Sequence, residues 1–340
     1  MKLTLTSLAA IALSAHAAFA ETFAGMSDLS FDAAWHGRAV EGAVWYPTDG
    51  GGEPELFADN PVFQGVDVLR DAPPQAGNHP VVLFSHGLGG NIRSSAWLAV
   101  GLAKRGAIVV AVDHPNSTTR DFDLGPGLEH GTRARDLSAA LDWLLADPRF
   151  AGQLDQSQIV AAGFSYGGWT ALSLGGATAN RDAYAAHCAE ALAISTHCAD
   201  IANAGIKLAD YDAATWNASY HDPRVTQVVA IDPALIWGLT PGNVAALPAK
   251  VLLVGLGQGK DRLYETDFTK SGFDELVPQA RSVTLAPAAH YSALLLCKPD
   301  GAAILADEGE PYPICTDPEG TNRAALHDEL IDLFATELGL

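Results

Sequence analysis

Six short runs of apolar, mostly β-branched residues recur along this chain, each closed by turn-forming residues. They are Val81–Phe84, Ile108–Val112, Ile159–Ala162, Val225–Ile231, Val251–Val254 and Val283–Leu285. A strand with one face in water alternates apolar and polar side chains, whereas a strand covered on both faces is apolar throughout. Helical patterns lie between the runs. Thr132–Ala146 places Ala134, Leu137, Leu141, Leu144 and Leu145 on one stripe and stops at Asp147-Pro148. Ser94–Arg105, Asp267–Gln279 and Asn322–Leu338 are further helical segments. Buried strands alternating with helices predict an α/β fold: a mostly parallel central sheet flanked by helices through right-handed crossovers.

Two regions interrupt the alternation. Residues 31–70 are rich in Trp, Gly and Pro and read as early antiparallel strands at a sheet edge. Residues 176–224 are Ala-rich, lie between two sheet strands and read as a cap or lid insertion in a single domain spanning 21–340. Residues 1–20 read as a secretory signal peptide: Lys2, an apolar stretch from Leu3 to Leu13, and the small-x-small site Ala18-Phe19-Ala20. That stretch is too short to span a bilayer, and none later is long enough, so no stable membrane anchor is expected. The expected location is secreted or periplasmic. Against 20 Lys and Arg stand 40 Asp and Glu, which disfavours nucleic acid or an anionic membrane as partner. The four cysteines are even in number, as in a disulfide framework, and Cys188–Cys198 with Cys297–Cys315 is the preferred pairing. His187 and His197 each precede a cysteine, but the spacing does not fit zinc.

The chemistry concentrates at Gly163-Phe164-Ser165-Tyr166-Gly167-Gly168, directly after the run Ile159–Ala162 and before a helical pattern. In that strand-turn-helix context a G-x-S-x-G segment is a nucleophile elbow. A strained turn lifts the serine hydroxyl out, and small neighbours let backbone approach. His86-Gly87-Leu88-Gly89-Gly90 follows the strand Val81–Ser85 and brings a second glycine-rich loop beside it. The backbone N–H groups of Leu88 and Tyr166 are therefore the expected oxyanion donors. His86, at a strand end among glycines, reads as structural.

An elbow serine needs a histidine base and an acid to orient it, in the chain order serine, acid, histidine. Of eleven histidines, His16, His36, His79, His86, His114 and His130 precede Ser165. His187, His197 and His221 lie in the insertion, and His327 is inside the last helical segment. His290, shortly after the last strand, remains. Asp232 immediately follows Val225–Ile231 and is favoured as the acid; Asp261, after the next strand, is the runner-up. Trp169 and Trp237 are candidate pocket residues, with core packing at least as good a reading for Trp169. Arg135-Asp136 on the long helix reads as an internal ion pair.

These segments resemble those of the α/β-hydrolase superfamily, in particular the platelet-activating factor acetylhydrolases and the related dienelactone hydrolase-like serine esterases. The likeness is carried by Val81–Gly89, by Ile108-Val109-Val110-Ala111-Val112-Asp113-His114 and by Gly163–Gly168. Ala230-Ile231-Asp232-Pro233-Ala234-Leu235 and the region of His290 add to it, and 176–224 contributes little. The resemblance to the acetylhydrolases implies an acid at Asp232. That to cutinase-like and many dienelactone-like proteins implies one a strand later, where Asp261 stands farther from its strand and precedes Arg262-Leu263-Tyr264. Dienelactone hydrolases proper use cysteine; a serine here implies carboxylic esters.

The expected activity is cleavage of a small-molecule ester through an acyl-enzyme, with no metal or organic cofactor. Rival readings are an amidase or lactonase, a cutinase-like polyester hydrolase, and a non-catalytic binding protein on the same fold. The sequence is silent on oligomeric state.

Overall fold

A computed structural model describes residues 22–340; the segment read as a signal peptide lies outside them. Ten strands form one sheet and two form a small hairpin. In chain order they are β1 (Phe23–Ala33), β2 (Arg38–Thr48), β3 (Glu53–Phe57), β4 (Val66–Arg70), β5 (His79–Ser85), β6 (Ile108–Val112), β7 (Ser117–Thr118), β8 (Asp121–Phe122), β9 (Leu154–Phe164), β10 (Gln227–Ile231), β11 (Lys250–Leu256) and β12 (Arg281–Leu285). The sheet runs β12-β11-β10-β9-β5-β6-β2-β1-β4-β3, with β7 and β8 paired apart from it. From β12 to β6 every pairing is parallel; β2 is antiparallel to β6 and β1 to β2, β4 runs parallel to β1, and β3 closes the edge antiparallel to β4. The all-apolar runs are thus the parallel strands, and the Trp- and Pro-containing segment is the edge, as its composition predicts.

The helices are α1 (Ala96–Lys104), α2 (Leu124–Gly127), α3 (Gly131–Ala146), α4 (Tyr166–Leu174), α5 (Arg181–Ala191), α6 (Thr196–Asn203), α7 (Ala213–Trp216), α8 (Pro241–Val244), α9 (Phe273–Leu276), α10 (Gly301–Asp307) and α11 (Arg323–Leu338). They make two apolar cores on opposite faces of the sheet. Val81 and Leu83 of β5 with Ile159 and Ala161 of β9 meet Leu137, Leu141 and Leu144 of α3 and Trp169 of α4. Their neighbours Val82, Phe84, Val160 and Ala162 meet Leu98 and Leu102 of α1 and Leu330 and Phe334 of α11. Alternate residues of β5, β6, β9, β10 and β11 therefore enter different cores, which is why their buried stretches are so apolar, whereas the edge strand β12 leaves Thr284 exposed.

One helical expectation fails. Asp267–Gln279 forms only the single turn α9, because Gly272 adopts a left-handed backbone (φ 74°) that breaks any longer helix. The buried residues there, Phe268, Phe273 and Val277, are also spaced too widely for one helical stripe. Residues 176–224 fold into α5, α6 and α7 between α4 and β10, and Cys188–Cys198 joins α5 to α6. Cys297–Cys315 closes the second loop, so both short-range pairs form. No helix among the described residues is long and apolar enough to cross a membrane.

Candidate active site

The strand register assembles the site at the carboxyl edge of the sheet. Ser85 of β5 pairs with Gly163 of β9, so the glycine loop after β5 and the elbow after β9 leave the sheet side by side. Chain continuation from β5 goes to β6 on one side while β9 lies on the other, the switch point at which open α/β sheets form clefts. Ile231 pairs with Phe164 and Val254, which sets Asp232 next to Ser165.

Ser165 sits in the backbone conformation φ 57°, ψ −120°, a strained state for a residue with a side chain. Three contacts over-determine it. Its N–H donates to the Ile231 carbonyl at 2.8 Å, its carbonyl accepts from Ala234 N–H at 3.1 Å, and α4 begins at the next residue. The glycines around it are required by space. A Cβ at Gly167 would overlap the Ser85 carbonyl oxygen, one at Gly163 would overlap the Gly167 carbonyl, and one at Gly168 would stand 3.0 Å from Pro233 Cα.

Ser165 Oγ lies 3.0 Å from His290 Nε2, and His290 Nδ1 lies 2.8 Å from Asp232 Oδ2. A carboxylate only accepts, so the imidazole proton is on Nδ1 and the Nε2 lone pair faces the serine hydroxyl. Asp232 is fully buried; its other oxygen accepts from Leu256 N–H at 2.8 Å and from the Arg262 guanidinium. Phe164 covers one face of His290, with ring centroids 4.5 Å apart. Asp261 is elsewhere, in a 3-10 turn beyond β11, and its side chain has no hydrogen-bond partner among the described residues. Its neighbour Arg262 is the residue that reaches Asp232.

The Gly87 carbonyl is held by His86 Nδ1–H at 2.7 Å and by Gly90 N–H at 3.0 Å. Carbonyl and N–H point opposite ways in a trans peptide, so the Leu88 N–H is directed away from those donors. Neither it nor the Tyr166 N–H donates to another group among the described residues. Gly87 packs on the elbow: a Cβ there would be 3.4 Å from Ser165 Cβ. His86 accepts His114 N–H at Nε2, so it must stay neutral; burial, then the nearby Arg133, holds its pKa well below the usual histidine range. It has no contact with Ser165 that a base would need, and it serves the loop.

A second Ser–His–Asp chain lies behind this loop. Ser85 Oγ is 2.9 Å from His114 Nε2, and His114 Nδ1 is 2.8 Å from Asp136 Oδ2. All three residues are completely buried, so no substrate reaches them. Asp136 also accepts from Trp35 Nε1 at 2.7 Å and contacts His36 Nε2 at 2.9 Å. Arg135, expected to pair with Asp136, instead lies over the Trp35 ring on the surface. The cation near Asp136 is Arg133, which is buried and donates to Ser85 Oγ, Ser117 Oγ, Thr170 Oγ1 and the His86 carbonyl. Arg133 thereby ties the exit of β5 to the elbow helix. Sequence reading missed it because an arginine on an apolar helical stripe looks like a surface residue until its partners, far along the chain, are known.

Of the two pocket tryptophans, Trp169 is displaced from that role: it is fully buried in the core with its ring edge toward His130. Trp237 is half-buried on the loop that follows Asp232. It stacks with His187 of α5 at 4.4 Å and Tyr264 at 4.6 Å, so the insertion meets the loops that leave β10 and β11.

Comparison with known proteins agrees with this layout. The sequence model of platelet-activating factor acetylhydrolase, isoform II, matches residues 65–121, from β4 through the glycine loop to the β7–β8 hairpin. Cutinase est2 of Thermobifida alba is 34% identical over 104 residues, which is 30% of this chain and 32% of that protein. Cutinase 2 of Thermobifida cellulosilytica is 33% identical over the same length, 36% of its own chain. The chain thus matches about a third of these curated relatives. A ferulic acid esterase from Streptomyces cinnamoneus superposes with a TM-score of 0.59 at 19% identity, over 95% of this chain and 92% of that one. This chain has the α/β-hydrolase fold. A dienelactone hydrolase-like promiscuous phosphotriesterase from metagenomic libraries shares it more distantly, with a TM-score of 0.50, 17% identity and coverage of 92% and 99%. In this fold Ser165 directly follows β9, Leu88 lies in the loop after β5, Asp232 directly follows β10 and His290 lies beyond β12.

Proposed function

We propose that this protein is an exported serine hydrolase that cleaves carboxylic esters through Ser165, His290 and Asp232. The observation that carries the reading is the continuous hydrogen-bonded chain from Asp232 through His290 to Ser165, ending beside two unengaged backbone N–H groups. His290 Nε2 takes the hydroxyl proton as Ser165 Oγ bonds to the ester carbonyl carbon. The carbonyl oxygen becomes an oxyanion held by the N–H groups of Leu88 and Tyr166. His290 returns the proton to the leaving alkoxide as the ester C–O bond breaks. Water, deprotonated by the same imidazole, then releases the acid. Asp232 keeps the imidazole in the tautomer this requires.

Similarity to cutinases, acetylhydrolases and a ferulic acid esterase supports an ester over an amide. Export is supported by the leader-like residues 1–20 and by two disulfides, which persist in oxidising compartments. We read α5, α6 and α7 as a cap, because His187 and Trp237 bind the insertion to the site loops, and a capped site favours small esters over a polymer.

A p-nitrophenyl ester series on wild type and on S165A, H290A, D232N and D261N tests the reading. Wild type should turn over short esters, S165A and H290A should be inactive, and D232N should lose on the order of 10³–10⁴ in kcat. D261N should stay near wild type. An S165A protein that keeps full activity and still binds a fluorophosphonate probe refutes the assignment.

A further inference from the structure

The residue standing behind the acid is unusual. Asp232 is wholly buried, and its outer oxygen is met by the guanidinium of Arg262, whose side chain is only 8% exposed. This is not a surface ion pair. Arg262 Nη1 also donates to the Leu256 carbonyl at 3.2 Å, Nη2 donates to the Thr266 carbonyl at 2.6 Å, and the guanidinium lies over the Phe268 ring at 4.9 Å. The sheet makes room for it: a Cβ at Gly255, inside β11, would stand 2.7 Å from Arg262 Nη1. A glycine in an otherwise bulky strand, three backbone and side-chain partners and an aromatic wall together form a built slot for one planar cation.

We infer that Arg262 is a positioning residue of the hydrolytic site, acting through Asp232; the inference rests on the reading of Ser165 as nucleophile. Asp232 is a carboxylate removed from water, and among the described residues the Arg262 guanidinium is the one Lys or Arg side chain paired with it. Arg262 and Leu256 N–H together occupy Oδ1. That leaves Oδ2 as the one acceptor facing His290 and stops the carboxylate from rotating. A carboxylate held this way keeps the proton on Nδ1 and the lone pair on Nε2, toward Ser165. When His290 takes up the serine proton, Asp232 already lies where the imidazolium needs it, so nothing has to reorganise. Arg262 touches no reacting atom; its effect passes entirely through Asp232.

The test is a double-mutant cycle on the full chain with p-nitrophenyl butyrate, reading kcat and KM for wild type, R262M, D232N and R262M/D232N, with R262K as the conservative variant and S165A as control. R262M should lose on the order of 100-fold in kcat with KM within about threefold. R262K should recover kcat to within about tenfold of wild type, since it restores the charge without the fork. In the D232N background the R262M change should alter kcat by less than about threefold, because the residue it acts through is gone. A merely structural arginine would cost the same in both backgrounds, and that result overturns the inference. So does R262M with wild-type kcat, or a loss confined to KM. If R262M melts below the assay temperature by circular dichroism, R262Q replaces it in the same cycle with the same criteria. An inactive S165A beside an unimpaired R262M overturns the role of Arg262 alone; a fully active S165A overturns the hydrolase reading and this inference with it.

Discussion

Acid should unfold this protein through its buried histidines, and the size of the effect follows from the structure. His114, His130 and His327 are each pulled from 6.5 to about 4, in every case chiefly by burial. Positive Arg133 adds to the effect at His114, and Arg323 adds to it at His327. The unfolded chain binds these protons near pH 6.5 and the folded chain only near pH 4. Stability is therefore complete above pH 6.5, falls as pH drops toward 4, and levels off below that. Integrated to pH 5, each histidine withdraws about 2 kcal/mol, and the three together about 6 kcal/mol. That is a large part of the roughly 5–15 kcal/mol by which domains are stable. Asp136, held near 2 by its hydrogen bonds to His114 and His36 against the opposing effect of burial, loses its contribution only between its unfolded value of 3.8 and about 2, outside this window. The assay is urea unfolding followed by tryptophan fluorescence at pH 7.5, 6 and 5. His327→Phe supplies the control: it keeps the stack on Trp97, now 3.7 Å, and gives up one 3.3 Å hydrogen bond to the Ser292 carbonyl. The variant should keep the pH sensitivity of wild type except for a drop smaller by about 2 kcal/mol at pH 5, the share of His327. A flat stability profile from pH 7.5 to 5, or an H327F profile parallel to wild type, refutes the reasoning.

Other outcomes follow from single contacts. Gly167→Ala should abolish both activity and normal folding yield, since its Cβ would collide with the Ser85 carbonyl, whereas Gly125→Ala, with nothing nearer than 3.5 Å, should be tolerated. Replacing Cys188 and Cys198 together, or Cys297 and Cys315 together, should lower unfolding free energy by about 3 kcal/mol each, read by denaturant titration. Ser85→Ala should still be labelled by a fluorophosphonate at Ser165, although Ser85 has equally good distances to a histidine; loss of labelling in S85A with retention in S165A would invert the assignment of the two serines.

Much of the architecture was legible because each sheet strand announces itself locally. Val81–Phe84 or Ile108–Val112 is too short and too apolar to be stable anywhere except between two layers, and α3 and α11 carry their stripes within one window. The failure at Asp267–Gln279 has the same logic reversed. Helical propensity there is local, but Gly272 and the wide spacing of Phe268, Phe273 and Val277 answer to contacts with other segments. The serine, the glycine loop and His290 were reachable from sequence because an elbow imposes glycines within a few residues and chain order eliminates the other histidines.

What the sequence determined by itself, then, is the layered α/β plan and the position of Ser165 in a strained turn, because these depend on residues close together in the chain; of the three pairings four cysteines allow, it favoured the short-range one and the structure forms it. Which carboxylate faces His290 took tertiary structure. The immediate position of Asp232 after its strand favoured it over Asp261 without excluding the latter; the register of β10 against β9 and β11 sets Asp232 beside the elbow and turns Arg262 rather than Asp261 inward. Tertiary structure also decided between two Ser–His–Asp chains of nearly equal geometry. Distances are alike at Ser85 and Ser165, and only burial, a property of the packed whole, leaves one of them able to meet a substrate.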